Sequence, residues 1–525
     1  MTKLEDVTNL ADAVRLHSQS RGDSIIFDFE DRISTFSQFD AHTNQVANGL
    51  AALGINPGER VAYIGKNSDI YFELLIGAMK AGVVMTPVNW RLAGPEIAFI
   101  IEDCKAAILF VGPEFIDQVR GIKDQIPSVR FIMTAEGGAP EWKDVTSWRD
   151  AQSSADPGRP IDAGEVAIQL YTSGTTGKPK GAMLSHSNLL SMVRSGNGEV
   201  PEWNKWDDQD VSLVAMPVFH IGGTGWGALG LYFGAKGVVA REFDPTKVLD
   251  FIQHSKVSKM FMVPAALQFV VRLPRAKETD FSRLRHIAYG ASPIPAALLK
   301  ECIDVFKCGF VQMYGMTETT GTIVALPPED HIPGEERMRS AGKALPGVEL
   351  AILDPDGKPL PPRAVGEIAT RSGANMVGYW NLPEATAKTI TKDGWLLTGD
   401  AGYLDEHGFL YIQDRIKDMI ISGGENIYPA EVESAVCDHP DVAEAAVVGV
   451  PDDKWGEAVK AIVVLKPGKT ATATDIINFT RTRIAGYKTP KTVDFIPALP
   501  RNPSGKILRR ELRAPFWAGK DRQVN

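Results

Sequence analysis

Residues 171–181 read Tyr-Thr-Ser-Gly-Thr-Thr-Gly-Lys-Pro-Lys-Gly. Apolar segments border this stretch, Val166–Tyr171 before it and Ala182–Ser185 after it, and each predicts a short buried strand. Between the strands, glycines let successive backbone N–H groups turn toward one point. Hydroxyl side chains add hydrogen-bond donors, and lysines add mobile positive charge. A loop of this composition between two strands predicts a binding site for the phosphates of a nucleotide.

Two other interpretations of this loop are weaker. A flexible Gly/Ser/Thr linker would have a similar composition, but the apolar flanks and the interleaved lysines argue against it. A Walker-type P-loop requires the spacing Gly-x4-Gly-Lys-Ser/Thr, which is absent. Pro179, directly after Lys178, also works against the helix that must follow a Walker loop.

Length, charge and cysteine content narrow the class of protein. The 525 residues are enough for about three to four domain-sized units. The net charge of −9 argues against nucleic-acid binding and against a basic membrane-binding surface. The four cysteines show neither Cys-x-x-Cys spacing nor histidine pairing, which predicts free thiols in a reducing compartment. No apolar run reaches the roughly 18 residues of a membrane span and no signal-peptide core is visible, so we expect a cytoplasmic enzyme.

Helix and strand patterns alternate along the N-terminal part of the chain. Thr35-Phe-Ser-Gln38 resembles a capping box that opens a helix ending at Gly54. Further elements are predicted as strands at 60–64, 83–88 and 107–111, a helix at 71–81 and another helix whose first turn holds Pro95. The Gly-, Pro- and Asp-rich segment 136–160 predicts a surface excursion. The alternation predicts α/β layers with largely parallel sheets.

The segment 216–226 is an apolar strand end that runs into a glycine-rich turn containing His220. Glycines let a ligand approach the backbone closely, so a histidine beside them is a candidate functional group as well as a structural one. The three glycines of residues 222–225 predict an open pocket wall. Trp226 would pack there along a chain or ring of the substrate.

Two further segments carry chemistry suited to a nucleotide. In residues 312–318, the ring of Tyr314 offers a face on which a purine can stack. The Thr317 hydroxyl can bond a phosphate oxygen, and the Glu318 carboxylate suits Mg²⁺, which prefers oxygen ligands. In residues 394–400, Asp400 is expected at a strand end, where a carboxylate can accept both hydroxyls of a ribose.

The last hundred or so residues predict a separate α+β unit. Its predicted elements are strands at 419–422, 445–450 and 459–465, a loop at 423–428, and helices starting at Pro429 and covering 475–484. Residues 500–506 form a Pro- and Gly-containing loop with one reaching lysine, Lys506. Composition alone would make it a surface loop.

In this order from Tyr171 to Lys506, the motifs resemble those of the adenylate-forming superfamily of acyl-CoA synthetases, peptide-synthetase adenylation domains and luciferases. The resemblance covers nearly the whole chain. It implies an α/β fold, with a large N-terminal α/β domain of layered sheets and a small mobile C-terminal α+β lid domain. We expect residues 1–415 to form the AMP-binding domain and residues 416–525 to form the lid.

The resemblance also implies a role for each motif residue. Lys506 would be the adenylation lysine, with Thr317, Glu318 and His220 as the other catalytic residues and Glu318 as the metal ligand. His220 would lie beside the acyl pocket, Arg415 would contact ribose or phosphate, and Lys417 would occupy the hinge of the lid. The residues implied in nucleotide and cofactor binding are Thr172, Ser173, Gly174, Thr175, Thr176, Gly177, Lys178, Lys180, Gly290, Ala291, Ser292, Gln312, Met313, Tyr314, Gly315, Thr317, Asp400, Arg415, Lys417, Gly423, Gly424, Lys488 and Lys506.

One residue departs from the pattern of many relatives that activate aromatic acids. Met313 stands where those relatives have glycine. If the position lines the acyl pocket, a methionine narrows it, which argues against a simple aryl substrate.

The implied reaction has two steps. A carboxylate attacks the α-phosphate of ATP·Mg²⁺, giving an acyl-adenylate and pyrophosphate, and the thiol of coenzyme A then takes the acyl group. Fixed N–H donors, Mg²⁺ and a lysine would stabilise the charge that builds on the phosphate. The implied cofactors and partners are ATP, Mg²⁺, coenzyme A as a substrate and a small-molecule carboxylic acid, with no nucleic acid. A homodimer is left open.

Three functions remain open at this point. An acyl-CoA synthetase is favoured, with a medium- or long-chain fatty acid as substrate and an arylalkenoic acid of the coumarate or ferulate type as the alternative. The second is a stand-alone adenylation enzyme that serves a carrier protein. It is weakened because no carrier domain is attached and because Phe219-His220 replaces the aspartate with which amino-acid activators hold the substrate amine. A non-catalytic nucleotide-binding protein is disfavoured, since every catalytic-type residue is present.

Overall fold

The computed structural model describes residues 3–172, 179–194, 200, 202–292, 294–332, 334–415, 418–422, 425–452, 454–501 and 507–518. The strands within these ranges are β1 (Ile25–Phe29), β2 (Arg32–Thr35), β3 (Arg60–Ile64), β4 (Val84–Pro87), β5 (Ala106–Val111), β6 (Phe131–Thr134), β7 (Lys143–Asp144), β8 (Val166–Thr172), β9 (Lys180–Ser185), β10 (Val211–Val214), β11 (Lys236–Val239), β12 (Lys259–Met262), β13 (His286–Gly290), β14 (Gly309–Met316), β15 (Gly321–Leu326), β16 (Lys343–Ala344), β17 (Glu349–Leu353), β18 (Gly366–Arg371), β19 (Gly378–Tyr379), β20 (Leu396–Leu404), β21 (Leu410–Arg415), β22 (Ile420–Ser422), β23 (Glu425–Ile427), β24 (Val442–Asp452), β25 (Gly456–Leu465) and β26 (Thr492–Phe495). The helices are α1 (Leu10–Arg21), α2 (Phe36–Ala52), α3 (Asp69–Ala81), α4 (Gly94–Asp103), α5 (Ile116–Arg120), α6 (Val145–Asp150), α7 (His186–Arg194), α8 (Ile221–Phe233), α9 (Pro245–His254), α10 (Pro264–Val271), α11 (Ala296–Phe306), α12 (Pro383–Thr389), α13 (Pro429–Cys437), α14 (Ala473–Arg481) and α15 (Arg509–Trp517).

Most strands of the N-terminal part belong to two large sheets. A nine-stranded sheet has the order β16-β15-β14-β13-β12-β10-β11-β1-β2, and an eight-stranded sheet has the order β19-β9-β8-β4-β3-β5-β6-β7. The central pairs of both sheets are parallel, for example β13 with β14 and β3 with β5. Parallel strands joined through helices form layered α/β structures. The predicted α/β class is therefore confirmed.

Two smaller sheets follow in the chain. The strands β17-β18-β20-β21 form a four-stranded antiparallel sheet. A five-stranded sheet has the path β23-β22-β25-β24, with β26 parallel to β25. This sheet shares a core with α13 and α14, so the small C-terminal α+β unit predicted from the sequence is observed. The boundary at residue 415 stays a prediction, since residues 416–417 lie outside the described ranges.

Helix α3 lies at the centre of the core and joins the two large sheets. Every residue from Asp69 to Lys80 is buried, as expected for a helix packed on all sides. Tyr71 packs against Tyr63 of β3, with ring centroids 5.1 Å apart. Phe72 faces α8, where a Cβ atom on Gly227 would lie only 2.4 Å from its ring. The helix therefore fixes the separation of the layers that carry the predicted motifs.

Local signals predicted several element boundaries correctly. Thr35 caps α2, because its hydroxyl accepts the Gln38 N–H and the Gln38 side chain accepts the Thr35 N–H. Pro95 and Pro429 lie in the first turns of α4 and α13. The surface excursion expected over 136–160 is only partly observed, since it contains β7 and α6. The buried side chain of Trp148 on α6 attaches this segment to the core. A single tryptophan can bury a large apolar surface, even in a segment whose composition is otherwise polar.

Three other expectations about local structure are wrong. The glycine-rich turn predicted around His220 is instead the start of α8. The loop predicted over 423–428 is interrupted by β23. Asp400, expected at a strand end, lies within β20, where Gly399 adopts a φ of 71° that breaks the regular extended backbone.

Packing explains why so many glycines form a helix in α8. A Cβ atom on Gly223 would lie 2.2 Å from the carbonyl oxygen of Pro217, and one on Gly222 would lie 2.9 Å from the Phe261 ring. Glycine disfavours helix by about 1 kcal/mol relative to alanine. Close packing therefore outweighs the low helix propensity of glycine at this point. The turn was predicted from that propensity, and for this reason the prediction failed.

The four cysteines, Cys104, Cys302, Cys308 and Cys437, are free thiols. Burial raises the pKa of each to about 12, so all four stay protonated at neutral pH. In the part of the chain that the structure describes, no helix combines the length and the apolar composition that crossing a membrane would require.

We expect Gly223→Ala to destabilise the protein, because the new methyl group would meet the Pro217 carbonyl oxygen at 2.2 Å. Overpacking of this kind costs about 1–3 kcal/mol. The matched control on the same helix is Gly230→Ala, whose methyl group would lie 3.4 Å from Ser212, an ordinary contact. Urea denaturation should show a lower free energy of unfolding for the first variant and an unchanged or higher one for the second. Equal losses would contradict the packing role of Gly223.

Candidate active site

The predicted phosphate loop connects two paired strands. β8 and β9 form an antiparallel hairpin in which Thr172 pairs with Lys180. The loop therefore leaves the sheet at Thr172 and returns to it at Lys180. The loop residues Ser173, Gly174, Thr175, Thr176, Gly177 and Lys178 lie outside the described ranges, and their phosphate-binding role stays a prediction.

The Glu318 carboxylate reaches the end of β8. Glu318 lies in a 3-10 turn, Thr317–Thr319, between β14 and β15, and only 5% of its surface is exposed. Its Oε1 atom accepts hydrogen bonds from the Thr172 hydroxyl at 3.2 Å and from the Tyr379 hydroxyl at 2.8 Å. Three segments that are distant in sequence therefore meet at one carboxylate, and Thr317 opens the turn that carries it.

One side-chain hydrogen bond and two glycines determine the conformation of this turn. The Thr319 hydroxyl accepts the Met316 N–H at 2.9 Å. Gly321 has a φ of 99°, so the chain reverses through the left-handed region that favours glycine. A Cβ atom on Gly315 would lie 1.6 Å from the Gly321 carbonyl oxygen. Gly315, predicted as a binding residue, is thus required by the close approach of two strands.

The surroundings of Glu318 fit a magnesium ion that is bound together with nucleotide phosphates. Within the described residues, both hydrogen bonds to the carboxylate end on Oε1, which leaves Oε2 available to a cation. Mg²⁺ is usually held by one or two carboxylates and by phosphate oxygens. The described chain contains no group of three or more His, Cys, Asp and Glu side chains that could hold a metal ion. A single carboxylate acting with the substrate is therefore the arrangement that fits, and the ion would neutralise charge on the phosphates.

Tyr314 and Asp400 come together from two different sheets. The Tyr314 hydroxyl donates a hydrogen bond to Asp400 Oδ2 at 2.8 Å. The backbone of Asp400 lies opposite that of Arg415 in the pairing of β20 with β21. Burial raises the pKa of the neighbouring Glu367, and the charge of Asp400 adds to the rise while the Gly399 N–H opposes it. The predicted purine-stacking ring and ribose carboxylate are thus adjacent.

The predicted adenine segment begins at the C-terminal end of β13. Gly290 lies opposite Met313 of β14, and a Cβ atom on Gly290 would be 2.2 Å from the Met313 carbonyl oxygen. Ala291 has a φ of 66°, a strained conformation for a residue with a side chain and one that is common at functional sites. Gln312 accepts a hydrogen bond from the Tyr289 hydroxyl at 3.1 Å. The structure therefore brings together at one sheet edge the predicted residues Gly290, Ala291, Ser292, Gln312 and Met313.

His220 directly precedes α8, and its carbonyl oxygen accepts the Gly223 N–H at 3.0 Å. Its ring centroid lies 4.6 Å from that of Phe219. The next residue, Ile221, lies 3.5 Å from the position that a Cβ atom on Gly321 would take. The start of α8 therefore adjoins the turn that follows Glu318, which agrees with a place for His220 near the site.

The open pocket wall predicted from the glycines of residues 222–225 is not observed at Gly222 and Gly223, which face close-packed neighbours. One turn further along α8, the Trp226 ring lies 5.3 Å from Trp206 and 6.2 Å from Phe261, measured between centroids. Trp226 is buried, and its indole N–H finds no hydrogen-bond partner among the described residues. This part of α8 is thus packed against aromatic rings, and the indole N–H of Trp226 is a donor without a partner among the described residues.

In the C-terminal unit, Lys488 forms an ion pair with Glu431 at 2.7 Å. Burial alone would lower the pKa of Lys488, but the hydrogen bond and charge of Glu431 outweigh it and the net shift is upward. The loop that carries Lys506 is closed at its base by an isolated bridge between Arg501 and Ile507. The predicted residues Lys417, Gly423, Gly424 and Lys506 themselves lie outside the described ranges.

Tyr379 belongs to the site, although the sequence analysis did not identify it. Strand β19 is only two residues long and pairs with β9, with Tyr379 opposite Ala182. The Lys180 ammonium lies 4.8 Å from the centre of the Tyr379 ring. A strand of two residues shows no periodicity, so no sequence signal could have linked it to the phosphate loop.

We expect Asp400→Ala to weaken ATP binding, because a carboxylate at this point can accept hydrogen bonds from both ribose hydroxyls. A hydrogen bond to a charged group is worth about 1.5–3 kcal/mol, so the affinity should fall by about 10- to 150-fold in calorimetric titrations. Tyr314→Phe, which keeps both the ring and the carboxylate, should lose much less. Asp356→Ala removes an exposed carboxylate and serves as the control. An unchanged affinity for Asp400→Ala would remove this residue from the site.

Comparison with known proteins agrees with this geometry. The profile of the family "AMP-binding enzyme" matches residues 14–380, and that of the "AMP-binding enzyme C-terminal domain" matches residues 431–506. The chain is 43% identical to a fatty acid–[acyl-carrier-protein] ligase of Streptomyces coeruleorubidus, over 94% of each chain. It is 38% identical to a feruloyl-CoA synthase of an Amycolatopsis species, over 92% of this chain and 94% of the relative. The crystal structure of ATP-bound MatB from Rhodopseudomonas palustris superposes with a TM-score of 0.87 at 30% identity, covering 97% of this chain and 99% of that one. The chain therefore belongs to the AMP-binding enzyme family of adenylate-forming acid–thiol ligases.

Proposed function

We propose that this protein activates a medium- or long-chain fatty acid with ATP and transfers the acyl group to coenzyme A. The observation that carries the proposal is the 3.2 Å contact between the Glu318 carboxylate and the Thr172 hydroxyl. This contact joins the predicted metal ligand to the first residue of the predicted phosphate loop. A loop rich in N–H and hydroxyl donors beside one carboxylate suits a nucleotide whose phosphates share a divalent cation.

In the first step, a carboxylate oxygen of the acid forms a bond to the α-phosphorus of ATP. The bond from that phosphorus to the oxygen bridging to the β-phosphate breaks, and pyrophosphate leaves. The Asp400 carboxylate would hold the ribose, and the Tyr314 ring would support the purine. The Thr172 hydroxyl, the Lys180 ammonium and the loop between them would bind phosphate oxygens. Lys506 would add a positive charge where negative charge shifts from the carboxylate to the phosphate.

In the second step, the sulfur of coenzyme A forms a bond to the acyl carbon and loses its proton. The bond from that carbon to the phosphate oxygen breaks, and AMP leaves. The electron pair of the broken bond stays on the phosphate of the departing AMP. The reacting centre is now the acyl carbon and no longer the α-phosphorus, so a lysine that bridges the attacking carboxylate and the α-phosphate in the first step is not required in the second. This asymmetry fits a catalytic lysine on a separate unit that can turn away.

The acyl side of the site supports an apolar substrate. The aromatic wall of Trp206, Trp226 and Phe261 lies behind the start of α8. Met313, which is 8% exposed, belongs to the same hydrophobic cluster as Trp226. A flexible methionine and a closed aromatic wall suit a slender alkyl chain better than a rigid aryl group. The arylalkenoic alternative is supported by the 38% identity to a feruloyl-CoA synthase.

A second candidate differs only in the thiol that accepts the acyl group. The relative of 43% identity is a fatty acid–[acyl-carrier-protein] ligase. The same adenylate would then pass to the phosphopantetheine thiol of a carrier protein. Both acceptors present the same thiol, so the site chemistry of the first step is unchanged.

Release of AMP from radiolabelled ATP, measured with a panel of acids and with each acceptor, tests the proposal. We expect fatty acids to give the highest kcat/KM and AMP release to require free coenzyme A. Higher kcat/KM with arylalkenoic acids would assign the alternative substrate. Release that depends on acyl carrier protein but not on coenzyme A would assign the second acceptor. Absence of acid-dependent AMP release with every acid and acceptor would overturn the proposal.

We expect Lys506→Ala to separate the two half-reactions. Removing one preorganised donor costs on the order of 10²–10³ in rate, and loss of a full ammonium would cost at least as much in the first step. The variant should still make acyl-CoA when it is given synthetic acyl-adenylate and coenzyme A. Pyrophosphate exchange measures the first step and thioester formation the second, with Lys491→Ala as a matched lid variant. A folded Lys506→Ala protein that lost both activities, or kept the first, would refute this division.

A further inference from the structure

The segment 376–380 runs along the β8–β9 hairpin and the Glu318 turn. The Met376 N–H donates to the Glu318 carbonyl at 2.8 Å, and the Trp380 N–H donates to the Gly181 carbonyl at 2.8 Å. Between them, the Val377 N–H donates to the Met183 carbonyl at 2.9 Å. The segment is therefore attached by its backbone to both structures that meet at Glu318.

Tyr379 is held firmly within this segment. Its N–H donates to the Thr386 hydroxyl at 2.9 Å. The next residue, Trp380, is fixed by an indole hydrogen bond to the Asp103 carbonyl at 3.0 Å and by the Arg60 guanidinium 3.5 Å from its ring centre. Tyr379 as a residue is 7% exposed. The hydroxyl of this buried side chain lies 2.8 Å from Glu318 Oε1.

We propose that Tyr379 is a positioning residue that orients the Glu318 carboxylate for a divalent cation. Its hydroxyl occupies Oε1 and leaves Oε2 for the cation. The Tyr379 ring also lies against the Lys180 ammonium, so one side chain connects the metal ligand with the strand on which the phosphate loop returns. This inference rests on the proposed role of Glu318 as the metal ligand.

The chemistry of this contact supports the role. An ionised carboxylate has no proton to give, so the Tyr379 hydroxyl is the donor of the 2.8 Å hydrogen bond to Glu318 Oε1. Groups that bond a metal ligand from behind typically change metal affinity by about 10- to 100-fold when they are removed.

Tyr379→Phe is the decisive variant, because it deletes the hydroxyl and keeps the ring that packs beside Lys180. Tyr403→Phe is the matched control, since it removes a hydroxyl from a tyrosine that stacks on Tyr411 and takes no part in the site. Urea denaturation without nucleotide checks that each variant is folded. Electron paramagnetic resonance titrations then measure the affinity for Mn²⁺, used as the probe cation, in the presence of a non-hydrolysable ATP analogue.

The titrations are repeated in a Glu318→Gln background to form a double-mutant cycle. We expect Tyr379→Phe to weaken Mn²⁺ binding by about 10- to 100-fold in the native background and to have no further effect in the Glu318→Gln background. In steady-state assays it should raise the Mg²⁺ concentration required for half-maximal rate more than it lowers kcat at saturating Mg²⁺. Tyr403→Phe should change neither quantity.

Each other outcome overturns a specific statement. If Glu318→Gln weakens Mn²⁺ binding but Tyr379→Phe does not, Tyr379 has no positioning role and the proposed function stands. If Tyr379→Phe causes the same loss in both backgrounds, it acts on the fold and not through Glu318, and the inference is wrong. If Glu318→Gln leaves Mn²⁺ affinity unchanged, the metal role of Glu318 in the proposed function fails, and the inference fails with it.

Discussion

The buried carboxylate of Glu318 is the constraint on which the rest of the site depends. A carboxylate that is removed from water costs several kcal/mol unless hydrogen bonds replace the lost hydration. Its partners are Thr172, which lies 146 positions earlier in the chain, and Tyr379, which lies 61 positions later. The β8–β9 hairpin, the turn after β14 and the short strand β19 must therefore all be in place before Glu318 is satisfied.

Glycines determine how closely the strands beside this carboxylate approach each other. Gly290 and Gly315 both lie where a Cβ atom would collide with a backbone carbonyl oxygen, at 2.2 Å and 1.6 Å respectively. These contacts bring the end of β13 against β14 and fold the start of β15 back toward β14. The conformation of Ala291, with a φ of 66°, follows directly after the first of them. Gly290 and Gly315, which were predicted to contact the ligand, are thus also required to be glycines by the close approach of neighbouring backbone.

Sequence patterns predicted the layered α/β class and the two short strands on either side of residues 173–178, because each depends on local composition and spacing. They could not predict α8, whose glycines disfavour helix and are kept there by contacts with Phe72, Pro217 and Phe261. Nor could they find Tyr379, because its role depends on a contact with a residue 61 positions away. Tyr314 and Asp400 were each predicted to bind the nucleotide, but no sequence pattern indicated that they contact each other. Their direct hydrogen bond joins two different sheets and therefore depends on the tertiary structure.

Strand β14 shows how one element can serve both halves of the site. Successive side chains on a strand point to opposite faces. Tyr314 packs with the cluster of the four-stranded sheet and bonds Asp400, whereas Met313 packs with the core cluster that contains Trp226. In the proposed function, the nucleotide side and the acyl side are therefore separated by a single peptide unit. A change at Met313, at Trp226 or along the α8 wall would then alter the acid that is accepted while Tyr314, Asp400 and Glu318 keep their contacts. Such changes would account for the different names of the relatives of 43% and 38% identity, one a fatty-acid ligase and the other a feruloyl-CoA synthase.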